Sequence, residues 1–474
     1  MNPKKILAFL LLISILILGI TLTFPEKGIV ISKDFTLNLH WSFNQLQNKD
    51  TIKHADISKI IDINKQIIKT NISKGKTIKK EIKTQKTAKS NIKLLKENTY
   101  CIEYPSGNTN ILTPFFKKIN NANKKRVRIL HYGDSQIEGD RITGYLRNKL
   151  QEKFGGSGPG IMPAVPTKAE SASIIHKISN NWTTYSSYYK KDSTINNKKF
   201  GIIGQFSKYT QKNNAWIEFK HSGMAFPSVN KFTHCRIFYE SNNSNEIVKG
   251  YLDDKLIWFE EFSKTTKTRT IDWKFNKYPK KLKIVFEGGF SPNIYGISLD
   301  ASTGIAVDNI SFRGSSGTDF SKTNFNQMKE MASFLNTGLI IFEFGVNVVP
   351  YQTNSYAFYE RALIREIKFL KKAFNNTPIL IVGVSDMSQH KGTHYISYPN
   401  IEKILKAQRM AAKKTDCAFW DLYHAMGGQN SMPEWVFAKP PLARKDFTHF
   451  NRRGSYIVAQ MLFNALMKEY NNYN

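Results

Sequence analysis

The residues with the clearest chemical potential are a serine in the first third of the chain and an aspartate–histidine pair near its end. Ser135 lies in Gly133-Asp-Ser-Gln136, and Asp446-Phe-Thr-His449 carries the pair. A serine hydroxyl is a weak nucleophile until a base accepts its proton, and that base must be oriented by a third group. Ser135, His449 and Asp446 therefore predict a triad that transfers an acyl group through a covalent intermediate.

Acyl transfer also needs hydrogen-bond donors for the oxyanion that forms on the carbonyl oxygen. The candidates are the backbone N–H groups of Ser135 and Gly317 and the side-chain amide of Asn347. Losing one such donor typically slows the reaction by roughly 100- to 1,000-fold. Taken singly, each candidate has a structural explanation, since aspartate, glycine and asparagine are common turn residues. Only their joint order along the chain favours catalysis.

The elements around Ser135 predict a strand that turns into a helix. Val127, Ile129 and Leu130 favour a strand, Gly133 permits a sharp turn, and apolar residues at helical spacing follow over 142–150. Ser135 is thus expected at a helix N-terminus, where the helix dipole and free N–H groups favour negative charge.

Strands and helices alternate after Gly304, which predicts a parallel, doubly wound α/β sheet. Ligands of such sheets bind beyond the carboxyl ends of the strands. Ser135, Gly317 and Asn347 each follow a predicted strand, so we expect them at one edge of the sheet. Between the two α/β segments, residues 156–302 contain short strands separated by turn residues, which predicts an inserted β-sandwich.

The N-terminus predicts export. Two lysines precede Ile6–Phe24, about 19 uncharged residues, long enough to cross a bilayer with the N-terminus in the cytoplasm. We expect residues 1–25 to be an uncleaved signal anchor and transmembrane helix, with a cleaved signal peptide as the alternative. Residues 26–105 read as a basic, largely irregular linker, with one short amphipathic helix around Ile60 and Ile63.

The composition excludes several classes of function. The net charge of +32 comes from 69 Lys and Arg against 37 Asp and Glu. The lysines are dispersed and no nucleic-acid motif is present, so we expect no nucleic-acid partner. The three cysteines lie far apart, and His390 and His394 flank Gly392, which favours a loop over a metal site. With no phosphate or dinucleotide motif, we expect neither a cofactor nor a metal.

In four short blocks, the chain resembles the SGNH (GDSL-like) hydrolase family. The blocks are Gly133-Asp-Ser-Gln136, Ser315-Ser-Gly-Thr318, Gly345-Val-Asn347 and Asp446-Phe-Thr-His449. The resemblance covers about 125–155 and 303–470 and implies a flavodoxin-like sheet built from residues 106–155 and 303–474. Two departures are Val348, where a polar residue is frequent, and Gln136, where leucine is usual.

Within that family, the insert resembles the carbohydrate-binding module of exported peptidoglycan O-acetylesterases, as do Phe419–Gly428, Trp435 and Lys439–Leu442. This resemblance implies a serine esterase that removes acetyl from an acetylated glycan, with peptidoglycan as the expected partner. Acetyl transfer to another sugar and a non-catalytic wall-binding protein are the alternatives. The expected location is the periplasm, anchored to the inner membrane, or soluble there after signal cleavage.

Overall fold

The computed structural model describes residues 3–25, 29–32, 35–37, 54–63, 101–166, 171–188, 195, 197–210, 215–243 and 246–474. The chain forms two compact units, Met1–His54 and Ala55–Asn474. Within the predicted linker, 26–105, residues 26–28, 33–34, 38–53 and 64–100 lie outside the described residues.

The first unit contains one long apolar helix and a pair of short antiparallel strands. Its helix is α1 (Pro3–Thr23), and the strands are β1 (Ile29–Ser32) and β2 (Phe35–Leu37). Residues 4–23 have a mean hydropathy of 2.8, so by length and composition this helix is a candidate membrane span. A signal sequence near an N-terminus has the same properties, so both alternatives from the sequence remain.

The second unit alternates helices and strands around an inserted block of strands. Its helices are α2 (Thr113–Asn120), α3 (Arg141–Phe154), α4 (Phe325–Ser333), α5 (Ala357–Ala373), α6 (Ile401–Thr415), α7 (Leu422–Ala425), α8 (Ser431–Phe437) and α9 (Arg452–Tyr473). Its strands are β3 (Val127–Gly133), β4 (Gly160–Met162), β5 (Ile174–Ile178), β6 (Trp182–Ser186), β7 (Gln205–Tyr209), β8 (Ala215–His221), β9 (His234–Ser241), β10 (Ile247–Leu252), β11 (Lys255–Glu261), β12 (Thr265–Lys274), β13 (Lys281–Glu287), β14 (Asn293–Asp300), β15 (Ile305–Ser311), β16 (Thr337–Glu343), β17 (Ile379–Val382), β18 (Ser388–Lys391), β19 (His394–Ser397) and β20 (Ala418–Trp420).

A parallel sheet forms the centre of this unit. Its strands lie in the order β15-β3-β16-β17-β20, and every neighbouring pair is parallel. Successive side chains of a strand point to opposite faces. Accordingly, Ile129 packs in one hydrophobic core with α3 and α9, whereas Leu130 packs in a second core with α4, α5 and α6. Helices therefore cover both faces, and the predicted doubly wound α/β class is confirmed.

The inserted strands form two antiparallel sheets that share a core. One sheet has the order β11-β10-β13-β8-β5, and the other has the order β12-β9-β14-β7-β6 with β4 added beside β14. Ile217 and Ile284 from the first sheet pack with Ile237 and Trp273 from the second. The described strands thus form a sandwich, as expected, while the exact domain boundaries given by the sequence stay predictions.

The chain enters and leaves the sandwich at one point. The Ile305 N–H donates to the Gly155 carbonyl at 2.9 Å. The first and last strands of the sandwich also pair, with Gly160 opposite Leu299. The sandwich is tied to the parallel sheet by Arg128 of β3, a buried guanidinium that bonds both Asp300 of β14 and Asp308 of β15.

Residues 55–63, which fall within the predicted linker, pack on the α/β body. Residues 58–63 are helical, and Ile57, Ile60 and Ile63 are buried in the same core as α9. Gly427 approaches closely here, since a Cβ on it would lie 3.4 Å from the Ile57 side chain. This short segment is therefore part of the folded body.

Candidate active site

Ser135 lies in a turn directly beyond the carboxyl end of β3. Gly133 ends that strand where space is tight, because a Cβ there would lie 2.9 Å from both the Glu343 carbonyl oxygen and the Ile137 side chain. The expectation that Ser135 lies at a helix N-terminus is wrong. The helix α3 begins only at Arg141, after a 3₁₀ turn in which Gly139 and Asp140 have positive φ. That break separates Ser135 from the helix dipole.

The structure brings the three predicted triad residues together. Ser135 Oγ lies 2.8 Å from His449 Nε2, and His449 Nδ1 lies 2.9 Å from Asp446 Oδ2. Both distances are those of ordinary hydrogen bonds. The arrangement can take a proton from the serine and hold the imidazole in the tautomer that does so. A residue 314 positions away in the chain thus reaches the serine only through the fold.

The Asp446 carboxylate is held ionised by its own loop. Partial burial opposes the charge, but hydrogen bonds from the His449 N–H and ring and from the Thr448 N–H lower the pKa of Asp446 below its usual value. The Asp446 side chain is nevertheless 44% exposed and that of His449 26% exposed. Water can therefore compete for the hydrogen bond between Asp446 and His449.

Two of the three predicted oxyanion donors, those of Gly317 and Asn347, bond the same residue, Ser315. The Gly317 N–H donates to Ser315 Oγ at 3.0 Å, and Asn347 Nδ2 donates to the Ser315 carbonyl at 2.9 Å. An amide NH₂ has a second hydrogen, so Asn347 keeps one donor for a substrate. Gly317 has φ +79, and a Cβ there would lie 2.8 Å from Phe342 and Phe344, so only glycine fits. The role of these groups as an oxyanion hole stays a prediction.

Asp134 couples the serine turn to the neighbouring strand end. It is buried, and burial raises the pKa of Asp134 to about 7, with the Glu343 charge adding to the rise. Backbone N–H groups of Gln136, Gly345 and Val346 bond its carboxyl and oppose that rise. The serine block and the block that contains Asn347 are therefore held together through one carboxyl.

Two side chains beside the serine were not predicted from the sequence as site residues. The Arg141 guanidinium donates to the Ser135 carbonyl. The Gln136 amide reaches the backbone on both sides of His449. For Arg141 the sequence contains no indication of such a role. For Gln136 it contains one, since the SGNH family usually has leucine at this position.

Other chemically capable residues lie away from the triad. His390 and His394 lie on an exposed antiparallel hairpin, β18–β19. Asp386 is fully buried and accepts from Ser397 Oγ and the Met432 N–H, and burial raises the pKa of Asp386 to about 6. His131 is buried against Glu343 at 2.9 Å. Among the described residues, no three His, Cys, Asp or Glu side chains are placed to hold a metal ion.

The parallel sheet, the serine turn beyond β3 and the inserted sheets define an α/β fold of the SGNH-hydrolase type. Among solved structures, a peptidoglycan O-acetylesterase has this fold. It matches with a TM-score of 0.64 and 21% identity over 78% of this chain and 99% of that chain. The fold implied by the four sequence blocks is thus confirmed.

Two further solved structures are more distant. A family two carbohydrate esterase from Cellvibrio japonicus is 7% identical over 63% of this chain and 99% of that chain, with a TM-score of 0.25. An acetyl xylan esterase is 18% identical over 34% and 81%, with a TM-score of 0.27. TM-scores this low carry no argument about this chain. No protein-family model and no curated protein matches the sequence.

Proposed function

We propose that this chain is a serine esterase that hydrolyses O-acetyl esters of a glycan, with peptidoglycan as the preferred polymer. The observation that carries the proposal is the continuous hydrogen-bonded series from Ser135 Oγ through His449 to Asp446, at 2.8 and 2.9 Å. The substrate class is supported by the fold shared with a peptidoglycan O-acetylesterase. The apolar α1 supports a location outside the cytoplasmic membrane, either anchored or released.

In the first half-reaction, Ser135 Oγ attacks the acetyl carbonyl carbon while His449 Nε2 takes the hydroxyl proton. The carbonyl electrons move onto oxygen, where the Asn347 amide and the Ser135 N–H are the proposed donors, joined by the Gly317 N–H once it leaves Ser315 Oγ. The tetrahedral intermediate then collapses and the bond to the sugar oxygen breaks. His449 gives its proton to that oxygen, so the sugar leaves as an alcohol and the acetyl group stays on Ser135.

In the second half-reaction, water replaces the sugar. His449 takes a proton from the water as its oxygen attacks the acyl carbon, and the Ser135–acyl bond then breaks. Ser135 Oγ recovers the proton from His449, and acetic acid leaves and ionises to acetate in solution. Throughout, Asp446 stabilises the positively charged imidazole without itself taking a proton.

The test measures acetate release by the full chain, purified in detergent, from p-nitrophenyl acetate and from O-acetylated peptidoglycan. We expect Ser135→Ala to lower kcat by at least about 1,000-fold. Ser333→Ala is the control, because its exposed hydroxyl bonds only the Glu330 carbonyl at the end of α4. Equal rates for the wild type and Ser135→Ala would refute the serine mechanism, and peptidoglycan binding without acetate release would instead support a wall-binding protein.

A further inference from the structure

The side chain next to the nucleophile spans the backbone of the base. Gln136 Nε2 donates to the Thr448 carbonyl at 2.7 Å, and the Phe450 N–H donates to Gln136 Oε1 at 3.4 Å. Thr448 and Phe450 are the two neighbours of His449 in the chain. The second hydrogen on Nε2 goes to Ser385 Oγ at 3.1 Å. One amide therefore holds both sides of the residue that serves as base.

The orientation of this amide follows from its partners. The Thr448 carbonyl can only accept and the Phe450 N–H can only donate, so Nε2 must face the former and Oε1 the latter. Gln136 is 2% exposed, which keeps water from replacing these bonds. Leucine at this position would leave the half-buried Thr448 carbonyl and the buried Phe450 N–H without this partner, and each such loss is costly.

This amide matters because Asp446, the side chain that bonds the His449 ring from the other side, is partly exposed to solvent. Asp446 orients the imidazole from a side chain that is 44% exposed. The backbone of His449 is additionally held where its carbonyl accepts from the Arg444 N–H at 2.8 Å. Neither of those contacts links the histidine to the serine turn, whereas Gln136 belongs to that turn.

We infer that Gln136 is a positioning residue whose buried amide fixes the backbone on both sides of His449 and thereby holds its imidazole on the Ser135 hydroxyl. The inference rests on the proposed function. It assigns a task to the departure from leucine that distinguishes this chain's first block. A misplacement of about 1 Å can cost roughly 100-fold in rate. Loss of the Gln136 amide is therefore expected to lower kcat.

The experiment compares Gln136→Leu with the wild type in the full chain. We expect kcat for p-nitrophenyl acetate to fall about 10- to 100-fold while KM stays within about twofold. The matched control is Gln151→Leu, which removes another buried amide that bonds two backbone carbonyls, those of Gly158 and Ile305. Unfolding midpoints of both variants separate lost stability from lost positioning.

Gln136→Glu adds a readout that a purely structural role would not move. A protonated carboxyl can donate to the Thr448 carbonyl, whereas an ionised one repels it. The activity of Gln136→Glu relative to the wild type is therefore expected to rise as pH is lowered. A flat ratio, or Gln136→Leu with wild-type kcat, would overturn the inference.

Labelling of Ser135 by a fluorophosphonate probe separates this inference from the proposed function. The probe reports the serine–histidine pair without needing the natural ester. A wild type that labels but cleaves no acetyl ester refutes the proposed function alone, and slower labelling of Gln136→Leu then still supports the inference. A wild type that neither labels nor cleaves overturns both.

Discussion

Asp-x-x-His occurs twice in this chain, and the two copies have the same local geometry. In each, one carboxylate oxygen accepts from the histidine N–H and the other lies within 3 Å of Nδ1. His449 also forms a hydrogen bond with the Ser135 hydroxyl, whereas Asp421 of the other pair forms an ion pair with Arg409. The Asp-x-x-His spacing alone therefore does not distinguish the two pairs, and the proposed catalytic role of Asp446 and His449 rests on the hydrogen bond to Ser135.

The duplicate supplies a control for the role of Asp446. We expect Asp446→Asn to lower kcat by about 100- to 10,000-fold, because the amide no longer holds the tautomer of His449 that accepts the serine proton. Asp421→Asn breaks the same motif away from Ser135 and should leave kcat unchanged while lowering the unfolding midpoint. Steady-state kinetics with p-nitrophenyl acetate measures both, and similar losses of kcat in the two variants would argue against the triad.

At the residue scale, the sequence predicted which residues form the candidate site better than it predicted their hydrogen-bond partners. Ser135, Asp446 and His449 were selected by residue type, order and resemblance, and the structure places them within hydrogen-bond distance. The partners of Gly317 and Gln136 were not predictable, since hydrogen bonds to backbone groups leave no trace in residue type. Such contacts depend on the path of loops that are distant in the sequence.

The hairpin β18–β19 packs against the loop that carries His449, the proposed base. Tyr395 stacks on Phe447 with ring centroids 3.5 Å apart and an angle of 10°. The Ser388 N–H also donates to the Phe447 carbonyl at 3.0 Å. Phe447 has φ +53, an unfavourable conformation for a bulky residue, so its surroundings must hold it there.

Removing this stack should loosen the loop. We expect Tyr395→Leu to lower the free energy of unfolding by about 1 kcal/mol, the usual worth of an aromatic pair. It should also lower kcat, because His449 lies two residues beyond Phe447. Tyr278→Leu is the control, since Tyr278 is 57% exposed. Denaturant unfolding and kinetics measure the two effects, and a kcat equal to that of the control would show that the hairpin does not influence the base.

The pattern of apolar residues predicted the strand β16 but not this hairpin, for a physical reason. Buried strands such as β16 are continuous apolar runs, which identify them directly. Ser388-Gln-His-Lys391 has no apolar face, so nothing in its pattern indicates a strand. The helix α3, Arg141–Phe154, lies where the apolar spacing over 142–150 predicted a helix, and Gly139 and Asp140, both with positive φ, separate it from the serine turn.

On the scale of the whole molecule, the folded body begins earlier than composition suggested. Lysine, isoleucine and asparagine dominate residues 26–105, which is typical of a solvated linker, yet Ile57, Ile60 and Ile63 are 5–7% exposed. Periodicity predicted the short helix here. It did not predict the partner, because the surface that covers these isoleucines comes from the distant C-terminal part of the chain.

This packing predicts unequal effects of two truncations. A chain that starts at His54 should keep the stability of the full second unit. A chain that starts at Cys101 loses three buried isoleucines, each worth about 1.5–3 kcal/mol before the entropy of ordering, and should unfold at a lower denaturant concentration.

In the chain that starts at His54, Ile60→Asp should also lower the stability, because it places a charge in the core. Lys59→Asp, on the exposed face, should not. Identical denaturation midpoints for the two truncated chains would mean that residues 55–63 contribute no stability.

The paired ends of the sandwich have a consequence for the order of folding. Strands β3 and β15 are neighbours in the parallel sheet, although most of the intervening chain is the insert. Contacts between such distant segments form slowly, because the intervening loop must first be closed. A sandwich that folds first brings Gly160 and Leu299 side by side. The loop that must be closed to pair β3 with β15 is then short, because the two ends of the insert are already adjacent. The insert would thus act as an internal folding aid for the sheet that carries Ser135.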